Sequence, residues 1–146
     1  MPQTATPADA RLIMRLYHLR REEKMRKARS WFFATFKGIK TTDEFLKIAP
    51  FGSEENAFFR MVVSYWDMAA GFVNTGALNR DLFFRSSNEM LFVWLRASEI
   101  IPELRRSRNN PLAYSDIEEA SLAMADWLEA RSPGAYEGFR KMVVGS

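Results

Sequence analysis

The side chains with chemical potential in this chain are polar groups set into two long apolar segments. Arg60, Ser64, Asp67, Gly71 and Asn74 recur at intervals of four, three, four and three. On a helix that spacing makes one narrow stripe. Around it stand Phe58, Phe59, Met61, Val62, Val63, Tyr65, Trp66, Met68, Phe72 and Val73. A helix apolar on most of its circumference is central to the fold or covered by a partner. The stripe is then either a solvent edge, with small residues for close approach, or a polar seam. In a seam Arg60 and Asp67 need partners, because buried charges are costly alone. The next segment offers Arg85, Glu89, Arg96 and Glu99. Each also has a local partner, Arg85 with Glu89 and Arg96 with Glu99. Together Arg60, Tyr65, Asp67, Asn74, Arg85, Asn88, Glu89 and Arg96 could line a small-molecule pocket between the two segments. Asp67 with Glu89 is the carboxylate pair to nominate for acid–base work.

Other chemistry lacks its residues. The chain has no cysteine, so disulfides and thiolate catalysis are excluded. Its one histidine, His18, sits beside Arg20 and Arg21 and reads as a surface residue. A zinc site or a Glu-x-x-His di-iron pair needs more. None of the seven glycines falls in a phosphate loop or dinucleotide fingerprint. No catalytic residue, metal or cofactor is expected, and the sequence points away from an enzyme.

These groups must be carried by helices, since no strand-like alternation occurs anywhere. With 146 residues and 14% aromatics, a single all-α domain of about five to six helices is expected. Residues 1–6 read as disordered. Thr6, Pro7 and Asp9 open a helix, and no Gly or Pro follows until Gly38, so one long basic helix is expected over 7–37. Thr41 with Glu44 has capping-box spacing and starts a short helix that Pro50 and Gly52 end. Residues 54–107 read as a central antiparallel hairpin turning at Gly76, with a kink near Ile100–Pro102. Ser115 with Glu118 is a second capping box, opening acidic C-terminal helices over 115–142.

Charge divides the chain. Residues 1–40 hold ten Lys/Arg against three Asp/Glu, and residues 41–146 hold eleven against fifteen. The bases Arg20, Arg21, Lys24, Arg26, Lys27 and Arg29 form a candidate surface for nucleic acid or an anionic membrane. Glu22 with Arg26 and Glu23 with Lys27 would neutralise part of it. Thr42–Val63 has helix-turn-helix length, but its second helix carries no row of base-reading side chains.

Residues 62–106 carry Tyr65-Trp66, Asp67, Ala69-Ala70-Gly71, Gly76 and Asp81-Leu82-Phe83. In that pattern the chain resembles an uncharacterised bacterial family of helical domains. The resemblance implies a helical fold and no activity. Family members often carry a membrane anchor ahead of this region, and no such segment is seen here. A cytoplasmic protein without a transmembrane segment is expected. The function expected first is a non-catalytic interaction or oligomerisation module, a homodimer, with a further protein partner possible. Nucleic-acid or membrane-surface binding through the first helix and a small-molecule pocket are the alternatives.

Overall fold

A computed structural model describes residues 3–145, and every regular element among them is α-helical. In chain order the helices are α1 (Pro7–Arg20), α2 (Glu23–Thr35), α3 (Thr42–Ile48), α4 (Glu54–Asn74), α5 (Arg80–Ser86), α6 (Glu89–Ala97), α7 (Ile101–Ser107), α8 (Ser115–Arg131) and α9 (Ala135–Val144). The all-α reading holds, with nine helices among the described residues where five to six were expected. The disorder expected over 1–6 falls partly on residues 1 and 2, which lie outside the described residues.

Helix starts follow local chemistry. Thr6, Thr41, Ser53 and Asn79 each accept from the N–H three residues on, satisfying donors that an α-helix leaves free. Thr6 and Asp9 complete a reciprocal capping box. Thr41 does not, because the Glu44 carboxylate takes the N–H of Lys40 instead, at 2.8 Å. Gly76 closes the α4–α5 turn at φ +85°, a conformation that favours glycine.

The extra helices come from three breaks. The expected 7–37 helix is two helices, α1 and α2. Leu16 is buried on the first and Met25 on the second. Nine residues at ~100° each put those two positions on opposite sides of a continuous helix. Only a corner lets both apolar stripes reach one core. Glu22 makes the corner by accepting from Lys24 N and Met25 N, both at 3.1 Å. It is spent there rather than on Arg26, and Lys27 meets Glu54 at 3.5 Å rather than Glu23. The second break, at Ser87–Asn88, divides α5 from α6. The Ser87 hydroxyl accepts from Glu89 N at 3.1 Å, the kind of short-range bond that competes with a continuous helix. The third is the expected one. Pro102 has no N–H to continue the ladder and stands at the start of α7.

The central helix is α4, which packs against α2 on one flank and α8 on the other. Phe32, Phe36, Phe45 and Phe59 form an aromatic cluster on the α2 side, with ring centroids as close as 4.6 Å. On the other side Ala70 of α4 and Ala120 and Ser121 of α8 are buried. The basic α2 and the acidic α8 are therefore kept apart by α4.

Candidate functional site

Glu89 opens α6 and is almost buried, with 12% of its side chain exposed. Three donors from three other helices converge on it. Arg29 of α2 grips it with two bonds, Nη2 to Oε1 at 2.6 Å and Nε to Oε2 at 2.9 Å. The indole Nε1 of Trp66 on α4 donates to Oε2 at 3.1 Å. Arg20, at the end of α1, brings Nη1 to 3.7 Å from Oε1 and donates to the Ser87 hydroxyl at 3.3 Å. Arg29 also donates to the Arg20 carbonyl at 3.4 Å, which ties down the α1–α2 corner. Its bonds to Glu89 push the Arg29 pKa above the ordinary guanidinium value.

Two guanidiniums thus share one carboxylate, and they are not equivalent. Arg29 is bidentate, the stronger geometry. Arg20 is held loosely, and its Nε and Nη2 donate to no described residue. Its guanidinium lies 5.2 Å from the Tyr17 ring centroid and 5.7 Å from that of Trp66. It also lines a partly open cavity of about 290 Å³ between α1, α4 and α5. Ile13, Met14, Leu16, Tyr17, Trp66 and Phe83 make that cavity mostly apolar, while Tyr65, Ser86 and Ser87 add polar atoms. The Tyr65 hydroxyl donates to the Leu16 carbonyl, and burial pushes its pKa up to about 12.

The expected pocket residues are dispersed. Only Tyr65 lines this cavity, and Glu89 stands behind it through Arg20. Asp67 faces the other flank of α4, where Oδ1 accepts from Ile117 N at 3.0 Å. Burial raises its pKa above 3.8, against the lowering effect of that N–H. Asn74 donates to the carbonyl and the carboxylate of Asp116, at 3.1 and 3.0 Å. The stripe is thus a polar seam over Asp67, Gly71 and Asn74, but its partner is the start of α8. Arg60 is exposed and bonds Asn56 at 3.2 Å. Arg85 is exposed and pairs with Asp81 at 2.7 Å, not with Glu89. Asn88 is exposed at the α5–α6 break. Arg96 does not meet Glu99. It donates to the carbonyls of Phe33 at 2.9 Å and Val143 at 3.2 Å, closing the ends of α2 and α9. Asp67 and Glu89 serve different interfaces, so the nominated acid–base pair does not form.

The expected capping box at Ser115 is also replaced. Ser115 is already helical, Tyr114 precedes it at φ +59° without a side-chain cap, and Glu118 pairs with Arg105 at 3.0 Å. Of the expected basic surface, Arg21, Lys24, Arg26 and Lys27 are exposed, whereas Arg20 and Arg29 are drawn inward to Glu89. The sequence reading missed the role of α1 in the cavity. Its available signal was the run from Ala10 to Arg21, which contains no acid although its inward positions end in Arg20. Among the described residues no three His, Asp or Glu side chains gather in a metal-binding group.

A family model described as Domain of unknown function (DUF4760) matches residues 5–122, most of the chain and well beyond the 62–106 stretch that carried the resemblance. No curated protein and no solved structure matches it.

Proposed function

We propose that this chain, which belongs to the DUF4760 family, is a binding module whose α1–α5 cavity takes a small anion with an apolar body. The observation that carries this reading is Arg20. It is a mostly buried cation beside a carboxylate already claimed by Arg29, and it faces an apolar cavity. A surplus buried charge is costly unless something pairs it. The walls suit a hydrocarbon or aromatic body, and a few convergent polar atoms fix its charged end, the usual form of a ligand site. At ~30 Å³ per non-hydrogen atom, the cavity holds about ten of them.

Calorimetric titration with octanoate and with 1-octanol tests the reading. Octanoate binds at least tenfold tighter, the worth of a charge-assisted hydrogen bond, and Arg20→Met abolishes that preference. Equal binding of acid and alcohol, or binding of neither, overturns it.

A second reading is association with another copy. The exposed bases of α2 and the exposed acids Glu119, Asp126 and Glu129 of α8 lie on opposite flanks of α4 and do not neutralise each other. Leu122, 56% exposed, lies among those acids. A homodimer pairing α8 of each copy with α2 of the other would satisfy both faces. Its mass in solution would be twice that of the chain at low salt and would fall as salt screens the charges. A monomer at every concentration overturns it.

A further inference from the structure

We infer that the outer face of α1 docks on an anionic membrane surface. From Ala10 to Arg21 the chain carries no acid. Asp9, just before, is occupied: its carboxylate accepts from Thr6 N at 2.7 Å and from Asn79 N at 2.9 Å. The outward arc of α1 holds Arg11 and Arg15, one helical turn apart, and Arg21 follows at its end. Between and beside these bases Met14 is 52% exposed, Leu19 45% and Tyr17 39%. Arg21 lies 5.3 Å from the Tyr17 ring centroid, so base and aromatic are presented together.

Exposed bases flanked by exposed apolar side chains offer an interface both charge attraction and apolar burial. The cations meet anionic headgroups and the apolar side chains enter the boundary with the acyl chains. The same face fits nucleic acid less well. Phosphate binding has no use for exposed Met14 and Leu19. No helix of the described residues is long and apolar enough to cross a membrane, so docking along the surface is the mode this face supports. Met14 and Tyr17 edge both this face and the cavity, but Arg11, Arg15 and Leu19 do not line it, so substitutions at those three positions test the face alone.

Co-sedimentation of the intact chain with vesicles tests it. Phosphatidylserine–phosphatidylcholine vesicles retain the protein and pure phosphatidylcholine vesicles do not. Arg11→Gln and Arg15→Gln each weaken retention about fivefold, the value of one base at such a surface. Leu19→Ser weakens it at unchanged charge, with circular dichroism verifying that each variant stays helical. Equal retention on both vesicle types, undiminished retention by Arg11→Gln/Arg15→Gln, or tighter retention on duplex DNA at the same salt each overturns the inference.

Discussion

Asp67 on α4 accepts from the backbone N–H of Ile117 on α8 at 3.0 Å, so one helix is capped by the side chain of another. The residue before α8, Tyr114, provides no cap of its own. The bond therefore does two tasks: it satisfies an orphan donor and sets the register of α8 along α4.

Asp67→Ala should lower stability by about 1 kcal/mol, as loss of an N-cap does, and the melting temperature by about 3 °C. Asp67→Asn keeps an acceptor oxygen and should lose less. A thermal melt of the three proteins checks the order. If Ala and Asn behave alike, the cap is not what Asp67 contributes.

The same pair predicts a pH dependence. Burial raises the Asp67 pKa above 3.8 in the fold. The folded state therefore holds this proton more tightly than the unfolded chain does. That contribution is complete below the unfolded value and is lost as pH rises through the folded one. The stability of the natural protein relative to Asp67→Asn should fall as pH climbs through the window just above 3.8, then level off. Denaturant titrations across that window would show a rise instead if the Ile117 N–H outweighed burial.

Glu89→Gln should cost about 3 kcal/mol, because it leaves the inward-drawn Arg29 and Arg20 without their shared charge. Arg20→Met should stay within about 1 kcal/mol of the natural protein, since Arg29 still satisfies Glu89 and the surplus charge is gone. Urea unfolding separates the two. Comparable losses would make Arg20 a structural ion-pair residue and remove the anchor of the proposed ligand site.

Arg96→Ala should destabilise by about 2 kcal/mol, since it frees carbonyls at the ends of α2 and α9 in a half-buried setting. Hydrogen exchange should speed first in α9, whose one buried residue is Val143. Uniform loss of protection over all helices would contradict the local role.

Gly71→Ala should be tolerated. A methyl there meets the Asp116 carboxylate at 3.4 Å, ordinary contact, and alanine gains up to ~1 kcal/mol of helix propensity. A destabilised Gly71→Ala protein would mean that α4 and α8 approach as closely as glycine alone allows.

The helical class, and where several helices start, could be read from residues alone. Thr6, Ser53 and Asn79 cap the helix that follows each of them by bonds spanning three residues, and such bonds need no tertiary partner. Pro102 interrupts a continuous helix and is accepted only in the first turn of a new one, wherever the chain runs. Even the α1–α2 corner was latent, in the nine residues that set Leu16 and Met25 on opposite faces. What tertiary structure decided is which charges meet. Arg85 and Glu89 have ideal spacing within a continuous helix, yet the Ser87–Asn88 break separates them and Glu89 turns to Arg29, 60 residues earlier in sequence. A local ion pair is worth a few tenths of a kcal/mol in water. A buried carboxylate needs several donors at once, and only the crossing of α2 and α4 over the start of α6 assembles them. Asp67 follows the same rule on the other flank. Its stripe was plain in the sequence, but its partner is a backbone N–H, which no side-chain pattern announces.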